Sequence, residues 1–113
     1  MATSTIKMRT FNGVIAVASL THRADESNKW EVVGSFTINK PALIFAASSY
    51  NNRTTGLGFD TSNNASAPSL GAIENDNHIY KTPVFYISPG TIYLYAKTSA
   101  TTATNTYTVY ATQ

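Results

Sequence analysis

The sequence predicts an all-β protein, an antiparallel β-sandwich of the jelly-roll type with about eight or nine short strands in a single domain over residues 1–113. Three observations lead to this prediction. Short segments alternate between apolar and polar residues, turn-forming residues separate them at regular intervals, and no segment has the period of a helix. Because the chain has no cysteine, the Cys-Trp-Cys signature of immunoglobulin sandwiches is absent, which favours the jelly roll.

The composition argues against several functional classes. Charged residues make up 12% of the chain, the net charge is +2, and the basic residues are scattered, so we expect no nucleic-acid partner. No apolar run reaches the length of a membrane span, so we expect no membrane insertion. Without cysteine, the chain offers no disulfide framework, no thiolate metal site and no cysteine nucleophile.

The predicted strands follow from the alternation and from the turn signals between them. They lie at residues 6–11, 14–20, 30–39, 42–47, 56–59, 84–87, 91–97 and 105–112. Asn12 and Gly13 form the pair typical of a two-residue hairpin turn, and the polar stretch 21–29 is predicted to be a loop. The stretch 42–47 is apolar on both faces, which predicts a central strand. The glycines of 56–59 indicate a bulge or the close approach of another backbone.

Residues 30–39 show the most regular alternation in the chain. Trp30, Phe36 and Ile38 fall on one face, and Val33 falls on the other. Trp30 is therefore predicted to anchor the core.

The last third of the chain, residues 83–113, is predicted to contain three strands. Residues 88–90 (SPG) have the composition of a tight turn with proline early and glycine late. The strands on either side of this turn are predicted to pair as a hairpin.

The strand at residues 91–97 carries bulky side chains on both faces. Ile92 and Leu94 lie on one face, and Tyr93 and Tyr95 lie on the other. An antiparallel strand with one solvated face is normally polar on that face, so the tyrosines predict a second buried surface. Another copy of the chain is the simplest source, and the predicted interface residues are Val33, Tyr93 and Tyr95.

Two polar loops hold the candidate ligand-binding residues, which combine aromatic rings with amide and charged groups. These candidates are Tyr50, Asn51, Asn52, Arg53, Asp76, His78 and Tyr80. An aromatic platform beside Asn and Asp suits a saccharide. Arg53 is able to form a hydrogen bond across subunits or to contact a polar ligand, but plain exposure in a loop is the favoured interpretation.

The sequence offers no constellation that predicts catalysis. His22 and His78 lie in separate predicted loops, and neither has a hydrolase motif around it. Glu74 and Asp76 supply the kind of oxygen ligands that hard cations bind, but their spacing is not that of an EF-hand. We therefore expect no catalytic residue, no resident metal and no cofactor.

Several stretches resemble the C-terminal domains of bacteriophage tail fibres and related virion appendage proteins, which have a jelly roll similar to that of complement and tumour necrosis factor. The resemblance runs from Asn12 onward, and it rests on strand order and strand character. The matching stretches are WEVVGS (30–35), FTINK (36–40), ALIFAASSYNN (42–52), TTGLGF (54–59) and YISPGTIYLY (86–95). It implies a homotrimer at a virion surface that attaches to a host receptor or caps a fibre. The long repetitive shaft that precedes many fibre tips is absent from this sequence.

The leading functional hypothesis is a virion surface interaction module, a fibre tip or receptor-binding domain that contacts a host glycan or protein and other virion proteins. One alternative is a structural protein that decorates a capsid or assists fibre assembly without binding a receptor. A second alternative is a small lectin-like carbohydrate-binding module. An enzyme is the least favoured class.

Overall fold

The computed structural model describes residues 13–48, 53–75 and 79–112. Over these ranges the chain forms eight β-strands and no helix, so no described segment is a helix able to cross a membrane. The strands are β1 (Val14–Arg23), β2 (Trp30–Ile38), β3 (Ala42–Ser48), β4 (Thr54–Asp60), β5 (Gly71–Glu74), β6 (Phe85–Ile87), β7 (Gly90–Thr98) and β8 (Thr104–Thr112). The strand predicted at residues 6–11 lies outside the described residues.

The eight strands form two antiparallel sheets of four strands each. Sheet A has the order β1-β8-β3-β6, and sheet B has the order β2-β7-β4-β5. All neighbouring strands pair antiparallel, and most consecutive strands change sheet. This arrangement is a jelly roll, so the predicted fold class is confirmed.

The core lies between the two sheets. Phe59 of β4 packs edge-to-face against Phe36 and Phe85, with ring centroids 6.0 Å apart in both pairs. The fully buried aliphatic residues around these rings include Ile44, Leu57, Ile92, Leu94 and Val109. Burial of each such side chain stabilises the fold by roughly 1.5–3 kcal/mol. The predicted inward faces of β7 and of the second half of β2 are therefore confirmed.

Strand β3 is central in sheet A, as its apolar sequence predicts. It pairs with β8 on one side and with β6 on the other. The glycines of β4 also act as predicted. The register shifts between Thr54 and Gly56, and a Cβ added at Gly58 would come within 2.6 Å of Pro68 and 2.8 Å of the carbonyl oxygen of Gly71.

Strand β1 is longer than its sequence predicts. Thr21, His22 and Arg23, predicted to lie in a loop, continue the antiparallel pairing with β8 as far as Thr104. The error arises because the neighbouring strand β8 supplies a full row of backbone partners to a segment whose polar side chains suggest a loop. Strand β5 was also not predicted, since it is short and contributes few apolar side chains.

Strands β6 and β7 do not form the predicted hairpin. Strand β6 pairs with β3 in sheet A, whereas β7 pairs with β2 and β4 in sheet B. Ser88 and Pro89 therefore connect the two sheets. Turn composition predicts a reversal of the chain, but it does not predict whether the next strand joins the same sheet.

Trp30 does not belong to the core, and the prediction that it anchors the core is wrong. The pairing of β2 with β7 shifts register between Val32 and Gly34, and Val33 packs against the core from within this bulge. The extra residue reverses the alternation along the strand. Trp30 is consequently half-buried on the outer face of sheet B.

The loop at residues 61–70 folds over the outer face of sheet B. The Tyr95 hydroxyl donates a hydrogen bond to the carbonyl oxygen of Ser62 and accepts one, at 3.0 Å, from the backbone N–H of Ala65. Only 1% of Tyr95 is exposed, so the prediction that a lone chain exposes this tyrosine is wrong. The chain supplies the second buried surface from its own loop. Tyr93 on the same face is half-buried, and its place in an interface stays a prediction.

Candidate functional site

The predicted ligand-binding residues divide into two groups. Tyr50, Asn51, Asn52, Asp76 and His78 lie outside the described residues.

Arg53 and Tyr80 are both described and both exposed. The residues next to them in the sequence are hydrogen-bonded: the backbone N–H of Ile79 donates to the carbonyl oxygen of Thr54 at 2.8 Å. Tyr80 is 66% exposed. The fold therefore brings the start of β4 and the segment after β5 to the same region.

A polar cleft of about 530 Å³ lies at one end of sheet B. We call it the end cleft. Its lining comes from the loop between β1 and β2, the start of β4, the end of β5 and the end of β7. The lining residues are Asn28, Thr55, Glu74, Asn75, Lys97 and Ser99.

Backbone hydrogen bonds hold these four segments together. The N–H of Asn28 donates to the carbonyl oxygen of Thr98 at 2.6 Å, and the N–H of Ser99 donates to that of Arg53 at 2.9 Å. The N–H of Asn75 donates to the carbonyl oxygen of Thr55 at 2.9 Å. The cleft therefore forms where loops are tied to strands, so its backbone is ordered before any ligand arrives.

The Lys97 side chain lies between a carboxylate and an indole ring. Its ammonium group forms an ion pair with the carboxylate of Glu74 and lies 5.8 Å from the centroid of the Trp30 ring. Such a cation over an indole ring is attracted by the negative face of the ring. Trp30 itself rests on Gly56, where an added Cβ would come within 2.6 Å of the ring. Glycine is thus needed for the tryptophan to lie flat on the sheet.

Three non-glycine residues with positive φ lie at this same end of the sandwich. They are Asn28 (φ 59°), Arg53 (φ 67°) and Thr102 (φ 64°). Asparagine adopts the left-handed region readily, whereas for the β-branched Thr102 this conformation is uncommon. Left-handed residues of this kind cluster at functional sites when the surrounding structure holds them in place.

His22 is buried between the two sheets, next to the carboxylate of Glu31. Its Nε2 lies 3.1 Å from Oε1 of Glu31, and the same carboxylate accepts a hydrogen bond from the backbone N–H of Asp25 at 3.1 Å. Nδ1 of His22 is buried without a hydrogen-bond partner. The pair links β1 to β2 across the sandwich, which is a structural role.

The outer face of sheet A contains a second feature, two neighbouring rows of apolar side chains that run across the strands. The pairings of Val14 with Thr112 and of Leu43 with Tyr86 define one row, and those of Ala16 and Phe45 with Tyr110 define the other. We call Val14, Ala16, Leu43, Phe45, Tyr86 and Tyr110 the apolar rows. Val14, Leu43 and Tyr86 are 51%, 45% and 66% exposed.

Apart from Ala47, which pairs with Thr108, the remaining strand pairs on that face are polar. Ser19 pairs with Thr108, and Thr21 pairs with Thr106, whose hydroxyl oxygens lie 3.1 Å apart. Phe45 and Tyr110 stack with ring centroids 5.0 Å apart. The exposed apolar surface is therefore confined to one end of the face, and contiguous exposed apolar surface is typical of interaction sites.

Sequence reasoning missed most of the end cleft. Asn28, Thr55, Lys97 and Ser99 were not among the candidates, since they are distant from one another in the sequence and come together only through the strand order. One signal was available. Lys97 is the only charged residue after Lys81. An isolated charge in an otherwise uncharged strand region indicates a specific contact.

The described residues contain no group of three or more His, Asp or Glu side chains that could hold a metal ion. Two members of the acidic loop, Asp76 and His78, lie outside them. No protein-family model matches the chain, and no curated protein or solved structure matches it either. The resemblance to virion appendage proteins therefore remains a prediction.

Proposed function

We propose that the chain is a non-catalytic interaction module of a virion surface that assembles with copies of itself and contacts a host glycan or protein. The observation that carries this proposal is the set of apolar rows on the outer face of sheet A. A protein with no partner normally keeps the outer face of a sandwich polar. The resemblance described above supplies the virion setting.

The apolar rows support self-association because they carry no charged side chain. A patch without charged groups can be buried against another copy without the cost of removing a charge from water. Tyrosine suits such a contact, since its ring buries apolar area while its hydroxyl reaches water at the rim. The resemblance, not the surface, gives the number of copies as three.

The size of this face limits the strength of the contact. With a rise of about 3.3 Å per residue and a strand spacing of about 4.8 Å, two rows across four strands cover roughly 250 Å² per copy. A standard specific interface buries about 800 Å² per partner. We therefore expect an assembly that dissociates on dilution rather than an obligate one.

The contact between His22 and Glu31 supports a non-catalytic role. Its Nε2 is engaged with Glu31 inside the sandwich, and only 9% of the residue is exposed. A general base must reach substrate within hydrogen-bonding distance. His22 is not accessible for that purpose.

Binding of the labelled full chain to bacterial cells and to virion particles lacking it tests the proposal. Binding to cells is the expected result for a receptor-contacting module, and binding to particles alone favours the structural alternative, in which the chain decorates a capsid or caps a fibre. Absence of binding to both contradicts the proposal. Heat-denatured protein serves as the control for non-specific adsorption.

A further inference from the structure

The end cleft has balanced charge. Lys97 and Glu74 are the only ionisable residues among its described lining residues, and they pair with each other. Recognition of a phosphate or another strong anion needs uncompensated positive charge. A strongly charged ligand is therefore disfavoured here.

The cleft presents hydrogen-bond donors and acceptors side by side. The ammonium group of Lys97 only donates, the carboxylate of Glu74 only accepts, and the amide of Asn28 does both. Thr55 and Ser99 add hydroxyl groups. A neutral ligand rich in hydroxyl groups matches this mixture, because each hydroxyl group also donates and accepts.

The cleft is also held in shape. Lys97 is fixed between Glu74 and the Trp30 ring, and the backbones of Asn28 and Ser99 are hydrogen-bonded to neighbouring segments. Preorganised groups lose little conformational freedom when a ligand binds. The volume of about 530 Å³ lies within the usual range of small-ligand sites, so it is large enough for one or two sugar rings.

We infer that the end cleft is a binding site for a neutral saccharide, with Asn28, Glu74, Lys97 and Ser99 as the residues that contact its hydroxyl groups. This inference rests on the proposed contact with a host glycan, and it gives that contact a location and a class of sugar. An anionic sugar is excluded by the Lys97–Glu74 pair. Removal of the Glu74 charge is expected to allow an anionic sugar to bind.

Fluorescence of Trp30 provides the test, since it is the single tryptophan of the chain and contacts Lys97. The full chain is titrated with glucose, galactose, mannose and N-acetylglucosamine. At least one of these is expected to give a saturable change, with a dissociation constant on the order of 1 mM. No change with any of the four overturns the inference, as does a response to the zwitterion glycine without a response to sugar.

Two variants locate the site. Asn28→Gly removes the amide but keeps a residue that accepts positive φ, and Ser99→Ala removes a hydroxyl group. Each is expected to weaken sugar binding by roughly tenfold, the effect of one lost hydrogen bond, while the melting temperature stays close to that of the parent. Unchanged affinity in both variants overturns the inference.

Glu74→Gln tests the charge argument. With Lys97 unpaired, this variant is expected to bind N-acetylneuraminate, an anionic sugar that the parent does not bind. The matched control is Glu26→Gln, because Glu26 is also an exposed glutamate paired with a lysine, Lys29, at 2.8 Å, but lies outside the cleft. A gain of anion binding in the control, or none in Glu74→Gln, contradicts the assignment.

Cell binding separates this inference from the proposed function. If cells bind the chain and none of the four sugars competes, the cleft assignment fails and the interaction module stands. If a sugar binds in the cleft and cells do not bind the chain, the saccharide site stands and the attachment role fails.

Discussion

Tyr95 and Ser62 join the centre of sheet B to the loop that covers it, through a hydrogen bond from the tyrosine hydroxyl to the serine carbonyl oxygen. The same hydroxyl accepts a hydrogen bond from Ala65. A buried hydroxyl without these partners would destabilise the fold. The loop and the tyrosine therefore depend on each other, and together they replace the partner that the sequence pattern predicts for Tyr95.

Replacement of Tyr95 by Phe is expected to lower the free energy of unfolding by about 1–2 kcal/mol, since it removes two hydrogen bonds of a buried group. It should also speed hydrogen exchange at the N–H of Ala65. Tyr93→Phe, on the same outer face but half-buried, is the matched control. Equal exchange rates at Ala65 in the parent and in Tyr95→Phe would show that the loop is held in another way.

Asp60 is expected to make the stability of the fold depend on pH in acid. Its carboxylate accepts hydrogen bonds from the N–H of Ser62 at 2.9 Å and from the N–H and hydroxyl of Ser69, both at 2.8 Å. These bonds, led by that from Ser62, hold the pKa of Asp60 below its ordinary value.

A carboxyl group whose pKa is lower in the folded state stabilises the fold above its unfolded pKa, which is about 3.9 for aspartate. That contribution is lost as the pH falls through the folded value. Urea unfolding should therefore show Asp60→Asn to be less stable than the parent at pH 7, with the difference shrinking below about pH 4. A difference that is constant between pH 7 and pH 3 would contradict this account.

Trp30→Ala is expected to destabilise the fold less than Phe59→Ala does. Phe59 has no exposed surface, and replacement of a buried phenylalanine by alanine costs about 3–5 kcal/mol. Trp30 is half-buried on the outer face, so less of its surface returns to water. Thermal melting of the two variants compares them directly, and a larger loss for Trp30→Ala would place the tryptophan in the core after all.

The alternation of residues predicts most of the fold but not its irregularities. The alternation identifies β3 as central and Ile92 and Leu94 as core residues, because positions buried between two sheets carry apolar side chains. It places Trp30 on the wrong face, since a bulge at Val33 inserts one residue and reverses every assignment before it. A one-residue bulge changes which face each side chain lies on, but the types of residue in the strand do not reveal it.

The candidate site was predictable only in part. Glu74 lies in the polar stretch that the sequence singles out, whereas Arg53 and Tyr80 are not among the residues that line the end cleft. Asn28 and Lys97 meet only because β2 pairs with β7, and Thr55 joins them only because β4 pairs with β7 on its other side. Long-range pairing of this kind depends on the order of strands in the sheet, which alternation along a single strand does not contain.

Light scattering across a dilution series tests the central claim, that the apolar rows on sheet A are a contact between copies of the chain. The account predicts a mass near three times the 12.2 kDa of the chain at high concentration, falling on dilution. Tyr86→Lys, at a position 66% exposed, should reduce the mass to that of one chain without loss of the β-sheet circular dichroism spectrum, whereas the control Thr106→Lys, on the polar part of the same face, should retain most of the assembly. A mass of one chain for the parent at every concentration, or an assembly unaffected by Tyr86→Lys, would contradict the claim.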